Sequence, residues 1–394
     1  MADNPVTEPR SRRRFSDATA LAAALRPSYP VYCFRPHKVR AVARHFVETF
    51  PGKVVYAVKC NIEPRVLGWL AEAGVTAFDT ASLTEIAAVR ERLPDADALF
   101  MHPVKSRAAI LAADRVYDVS TYCVDSMAEL EKVLQVARRR DLKIFVRVAT
   151  PGGGAAFELS IKFGATQAEA VEILDRVAEE GLQAGIAFHI GSQCLNPRAF
   201  RTAFAVIADV WRGTKADVRE IDVGGGFPVA YAGQPVPPLE DFVTEIVEGR
   251  REAGIDEDVA LLCEPGRALV ADGCSMLCQV HLRKGDRLYL NDGVYGNLSE
   301  PYWSRVRLPA RLIRPEGING GVSDAPLQDF TIFGPTCDGN DLLPTPFRLP
   351  ADVSEGDWIE VGQIGAYGAA LATRFNGFFA DAQVELADEP PDTA

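Results

Sequence analysis

Lys59 closes the apolar run of YAVKCN. At a strand end, a lysine either snorkels its charge back to water or serves as a nucleophile whose amine forms an imine. Three further strings place polar residues directly after apolar runs: HIGSQ (189–193), DVGGGFP (222–228) and CEPGR (263–267). His189 reads either as a core histidine or as a ring-stacking group. Gly224, Gly225 and Gly226 permit close backbone approach, and their amides can cradle a phosphate. A glycine triplet is a plain loop about as often, and Gly152 to Gly154 receives no role. Glu264, just ahead of Pro-Gly-Arg, is a carboxylate in need of a partner. Further on, GPTCDG sets Cys337 beside Asp338. A thiol there could return a proton to carbon, and the carboxylate could bind an ammonium.

The elements that must position these groups are legible. Apolar runs at 53–58, 75–80, 97–101, 143–149, 184–190, 220–226 and 259–265 read as parallel strands covered on both faces. Amphipathic helices at 63–74, 82–93, 126–140, 166–181 and 196–211 alternate with them. Ser82 with Glu85 and Ser126 with Glu129 fit capping boxes. The alternation predicts a (β/α)8 barrel of the TIM type, with an open doubly wound sheet as the alternative. A barrel carries its site at the C-terminal strand ends, where Lys59, HIGSQ, DVGGGFP and CEPGR all fall. A phosphate cradle, a flat ring and a basic ring nitrogen together describe pyridoxal 5′-phosphate, with Lys59 supplying its imine. Beyond about residue 270, short strands between Gly, Pro and Asp turns predict a C-terminal antiparallel β-domain.

Composition narrows the class. With 42 basic and 54 acidic side chains among 394 residues, the net charge is −12, which disfavours nucleic-acid binding. No apolar run approaches the ~18–20 residues of a membrane span. The eight cysteines form no CxxC pair, so no metal site is expected, and they read as reduced, mostly buried thiols of a cytoplasmic protein. The basic cluster from Arg10 to Arg14 lacks an apolar run after it and reads as a mobile arm rather than a secretory signal.

The strings YAVKCN, FDTAS, IKFGAT, HIGSQC, DVGGGFP, EPGR, YLNDGVYG, GPTCDGND, GAYG and FNGF occur in one order between Tyr32 and Phe379. In this the chain resembles the alanine-racemase-like, fold-type-III pyridoxal-phosphate decarboxylases, and among them the eukaryotic-type ornithine decarboxylases. The resemblance implies a Schiff-base role for Lys59, ring stacking for His189 and a pyridine-nitrogen contact for Glu264. It assigns the phosphate to Ser192, Gly224, Gly225, Gly226, Gly266, Arg267 and Tyr367. Asp79, Glu85 and Arg147 match polar residues around the lysine and ring. Cys337 would act as proton donor, and Asp338, Tyr295 and Glu300 would meet the substrate.

The resemblance also implies a homodimer whose sites are completed across the interface. The expected organisation is an arm over 1–31 with a strand joining the β-domain, a barrel over 32–270, a β-domain over 271–385 and a disordered tail over 386–394. One departure bears on the substrate. Ser304 stands where the ornithine decarboxylases carry a second acid for the distal amine, and Glu300 is the nearest carboxylate, with Arg305 and Arg307 close in sequence. The expected reaction is decarboxylation of a basic L-amino acid, ornithine first and then lysine or arginine. The alternatives are a diaminopimelate-like or carboxy-polyamine substrate, racemisation, or a catalytically dead regulatory relative.

Overall fold

The computed structural model describes residues 13–151 and 162–392, so Gly152 to Gly154 lie outside the described residues. The chain forms two compact units. One runs from Val39 to Ala230 and from Pro235 to Val270, and the other holds the remainder.

The first unit is a closed barrel of eight parallel strands. They are β1 (Lys53–Ala57), β2 (Ala77–Thr80), β3 (Asp97–Phe100), β4 (Thr121–Val124), β5 (Lys143–Arg147), β6 (Gln183–Ala187), β7 (Val218–Asp222) and β8 (Ala260–Cys263). The sequence reading lacks β4, whose TYCV string is flanked by the polar residues Ser120 and Asp125. Closure comes from β8 pairing with β1, Leu262 opposite Lys53, and it excludes the open sheet. The interior is filled by Val55, Ala77, Leu99, Cys123, Phe145, Ala187 and Leu262, among others. Gly185 makes room for Phe145, whose ring lies 2.6 Å from where a Cβ would stand.

Alternation of side chains along a strand now places the polar groups. Asp79, Arg147, His189 and Glu264 each lie two residues beyond an inward-facing core residue: Ala77, Phe145, Ala187 and Leu262. Their side chains therefore belong to the inward-facing rows at the C-terminal end. The helix Leu83–Arg92 is capped by Ser82, which accepts from the Glu85 amide, while the Glu85 carboxylate accepts from Ala81 N rather than from the cap. Ser126 makes no capping bond at all. Its partner Glu129 instead accepts from Lys105 N at 3.1 Å and pairs with the Lys105 ammonium at 3.3 Å, so a tertiary contact replaces the local one.

The second unit is a nine-stranded sheet. It is mostly antiparallel, as expected, but it is mixed. Parallel pairs join 14–15 to 385–386, 31–34 to 382–385, and 287–289 to 331–333. Parallel neighbours need long connections, and for the strand Val31–Phe34 the whole barrel is that connection. This strand also pairs with Cys274–Leu277, so the barrel unit begins after Lys38 and not at Tyr32. The tail expected to be disordered from 386 is tied to this unit. Asp388 accepts from Arg35 at 2.8 Å and from Arg311 at 2.6 Å. Among the described residues no helix is long and apolar enough to cross a membrane.

Candidate active site

The chemistry-bearing residues of the barrel converge on its C-terminal end. Lys59 follows β1 in the short 3-10 turn Val58–Cys60, and its Nζ lies 3.1 Å from Asp79 Oδ2. The lysine side chain is 41% exposed and the aspartate 4%, so the amine reaches into open space from a buried anchor. Glu85 stands behind this pair. Burial and the Asp79 charge raise its carboxyl pKa, and the bond from Ala81 N opposes the rise.

His189 is half-buried, and its Nδ1 accepts from Gly191 N at 3.0 Å. Burial, followed by the Arg147 and Lys59 charges, holds its pKa well below the usual value. The ring is therefore neutral, with its proton on Nε2. Arg147 sits over the Phe163 ring at 5.5 Å.

Three glycines shape the loop after β7. A Cβ on Gly225 would stand 3.1 Å from His189 Nε2 and 2.7 Å from the Glu264 carbonyl oxygen. Gly224 and Gly226 have φ of +69° and +107°, which other residues rarely adopt. Beside this loop, the Arg267 guanidinium donates to Ser192 Oγ at 3.3 Å, and Gly266 lies against Cys60, 3.1 Å from its sulfur to the position of a Cβ. Backbone, hydroxyl and guanidinium donors thus share one region, as an anion site requires.

Glu264 Oε1 is buried and finds no hydrogen-bond donor among the described residues. Burial first, then Asp222 and Asp79, push its pKa well up, while Lys59 and Arg147 oppose. The carboxylate can accept from a cationic ring N–H. The residues present therefore fit pyridoxal phosphate: an amine for the aldehyde, an imidazole to stack on a ring, a donor-rich glycine loop and an acceptor for the ring nitrogen.

Tyr367 and the residues expected to meet substrate belong to the other unit. Tyr367 precedes the short helix Gly368–Leu371 with φ of +59°. Tyr295 donates from its hydroxyl to Asp338 Oδ2 at 2.6 Å, and Asn340 N donates to Oδ1 at 2.8 Å. These bonds, Tyr295 first, hold the Asp338 carboxyl below its usual range, and the same contact pushes the Tyr295 phenol up to about 12. Of the eight cysteines, Cys337 alone is exposed. Its thiol donates to Asn376 Oδ1 at 3.3 Å, and its amide donates to the same oxygen at 3.2 Å. Tyr289, Phe333, Thr336, Cys337, Asp338 and Phe378 line a cavity of about 340 Å³.

Glu300 heads the helix Glu300–Ser304 and is only 6% exposed. Ser304 Oγ donates back to the Glu300 carbonyl at 2.9 Å, and Arg307 is paired with Asp329 at 2.6 Å. Two residues of the site escaped the sequence reading. Asn376 sits within FNGF and was not singled out, and Asp222 opens DVGGGFP but was overshadowed by its glycines.

A closed parallel barrel with these groups at its C-terminal end defines a pyridoxal-phosphate-binding barrel. The model of the pyridoxal-dependent decarboxylase pyridoxal-binding domain matches residues 36–271, and the chain belongs to this family. Its cofactor is pyridoxal 5′-phosphate. The lysine/ornithine decarboxylase of Selenomonas ruminantium is 31% identical over 346 residues, covering 86% of this chain and 84% of that protein. Mouse (Mus musculus) ornithine decarboxylase is 31% identical over 351 residues, covering 82% and 73%. The arginine decarboxylase of Paramecium bursaria Chlorella virus superposes with a TM-score of 0.83 at 25% identity, covering 94% of this chain and 99% of that one. The chain is thus a decarboxylase of the group whose members act on basic amino acids.

Proposed function

We propose that the protein removes CO₂ from a basic L-amino acid, ornithine before lysine or arginine, to give the corresponding amine. The observation that carries this reading is Asp338. It is a half-buried carboxylate kept ionised by Tyr295 and Asn340 beside an exposed thiol, and it is suited to a distal ammonium. Glu300 is the more buried acid of the two, so the distal charge falls to Asp338. Relatives named for ornithine, lysine and arginine support the class of substrate.

Bound pyridoxal phosphate supplies an electron sink for the pair left when the Cα–carboxylate bond breaks. Lys59 would hold the cofactor aldehyde, with Asp79 anchoring its amine. Neutral His189 would stack on the ring without adding a competing positive charge. Glu264 would accept from the ring nitrogen, while Ser192, Arg267 and the glycine loop would receive the phosphate, with Gly266 and Tyr367 as further phosphate contacts. Cys337, whose thiol donates to Asn376, would deliver its proton to the α-carbon. We propose further that the protein works in the cytoplasm as a homodimer, in which Cys337 and Asp338 of one protomer serve the barrel of its partner.

The test is a substrate panel of ornithine, lysine, arginine and diaminopimelate, assayed for CO₂. Asp338→Ala should lower kcat/KM for the basic substrates by roughly ten- to a hundredfold, the worth of a charge-assisted hydrogen bond. Glu300→Ala should change it less. A preference for diaminopimelate, or indifference of basic substrates to Asp338→Ala, would refute the assignment and turn attention to Arg305.

A further inference from the structure

β7 ends in Asp222, which is fully buried. Register sets it opposite Leu262 of β8, and the two chains stay locked beyond that point. Val223 N donates to Leu262 O at 2.9 Å, and Glu264 N donates to Gly224 O at 2.7 Å. Asp222 Oδ1 accepts from Gly224 N at 2.8 Å. Asp222 Oδ2 and Glu264 Oε1 are both buried with no donor among the described residues, and the two carboxyl groups are near enough for each to act on the other's protonation. Two carboxylates cannot bond unless one of them carries a proton. A single proton between them would satisfy both orphaned oxygens at once.

The surrounding charges call for that proton. Asp79 on β2 adds a third carboxylate, against the two cations Lys59 after β1 and Arg147 on β5. Glu220, two residues back on β7, is already paired with Lys143 at 2.6 Å and drops out of the balance. The nearby thiols of Cys123 and Cys263 are raised by burial and stay neutral, as does His189. Three carboxylates and two cations balance when one acid is protonated, and unbalanced charge in such a site is costly.

We propose that Asp222 is a positioning residue: it keeps the proton of the pair and through it donates a hydrogen bond to Glu264, leaving Glu264 as the anion that would face the ring nitrogen. This rests on the assignment of Glu264 to that nitrogen. Burial pushes Asp222 up to about 7 and Glu264 well up, consistent with one proton kept by the pair near neutral pH. A cationic ring nitrogen beside Glu264 stabilises charge there, which sends the proton to Asp222. Held from behind in this way, the Glu264 carboxylate cannot rotate away from the cofactor.

Infrared spectroscopy of the protein, with and without pyridoxal phosphate, reads this proton directly. Wild type should show the carbonyl stretch of a buried carboxylic acid, and the band should persist on loading and shift with carboxyl-¹³C-labelled aspartate. Asp222→Asn should abolish the band yet keep cofactor affinity within about threefold, because the amide still donates to Glu264. Asp222→Ala removes the donor and should weaken cofactor binding by roughly ten- to a hundredfold. If the alanine variant does not fold, the asparagine variant and the label still decide. No acid band in wild type, a band untouched by Asp222→Asn, or an asparagine variant as weak in cofactor binding as the alanine one would overturn the pairing. Glu264→Gln tests the underlying assignment separately. Unchanged cofactor affinity in that variant would remove Glu264 from the ring nitrogen, and the positioning role with it, whatever the band shows.

Discussion

Gly225 offers the sharpest test of the barrel site, because one added methyl group meets two of its walls. In Gly225→Ala the new Cβ would stand 2.7 Å from the Glu264 carbonyl oxygen and 3.1 Å from His189 Nε2. The first contact is shorter than real Cβ atoms tolerate. The carbonyl cannot easily yield, because the adjoining Glu264 amide is pinned to Gly224 O at 2.7 Å. The loop must therefore shift and push the imidazole aside.

Overpacking of this kind costs about 1–3 kcal/mol. At roughly 2–4 °C per kcal/mol for a domain of this size, the cofactor-free variant should melt about 2–12 °C lower. A displaced ring also loses its stacking, worth about 0.5–1.5 kcal/mol, so pyridoxal phosphate should bind roughly two- to tenfold more weakly. Thermal melting and a visible-absorbance titration measure the two effects. A cycle with His189→Ala separates them. The affinity loss should be smaller in the His189→Ala background, whereas the melting loss, set by the carbonyl, should remain. A Gly225→Ala protein with wild-type melting and wild-type affinity would show that His189 does not stand over this loop.

Four further outcomes follow from named contacts. Lys59→Ala should lose the lysine-bound chromophore and nearly all turnover, and borohydride trapping with peptide mapping that labelled another lysine would displace Lys59 from its role. Mixing Lys59→Ala with Cys337→Ala protomers should restore activity to about a quarter of wild type if sites are shared across a two-fold axis, and no recovery despite proven exchange would refute sharing. Arg35, 0% exposed, donates to Glu360 at 2.7 Å and Asp388 at 2.8 Å. Arg35→Ala leaves the buried Glu360 with Arg311 as its one remaining cation and should cost about 3–5 kcal/mol in denaturant unfolding; a loss under 1 kcal/mol would show that Arg311 alone neutralises Glu360. His189 has a folded-state pKa well below the 6.5 of the unfolded chain. The unfolded state therefore takes up a proton first, and stability falls as pH drops through 6.5. His189→Gln should flatten this limb, and an unchanged slope would mean that His189 titrates normally.

What was legible in the sequence depended on how locally each feature is determined. The barrel strands were visible because both faces of a parallel strand are covered, leaving unbroken apolar runs such as KVVYAV. The same property leaves VYCF at 31–34 without an assignment. All four of its residues are buried, but between two strands of the mixed sheet, and burial alone does not say in which sheet. The capping box at Ser126 failed because Glu129 is drawn to Lys105, a partner that only the folded barrel brings near. Asp222 was hidden differently: its glycines advertise a phosphate, whereas its own meaning comes from Glu264 on the neighbouring strand, more than forty positions on in sequence.

The distal end of the substrate is the least local feature of all. Counting from Tyr295 finds Ser304 and offers Glu300 in its place, but a short helix turns on its own axis within that interval, and Glu300 ends up buried. Which carboxylate meets an ammonium is then decided by which one the fold leaves half-open and ionised. By that criterion the proposed carboxylate is Asp338, set by the Tyr295 hydroxyl forty-three positions earlier in the chain. The chemistry at the α-carbon can be read from strings of neighbouring residues. The side chain of the amino acid being decarboxylated is read by contacts that no string contains, and for that reason the Asp338 and Glu300 variants carry more information about substrate than any further motif would.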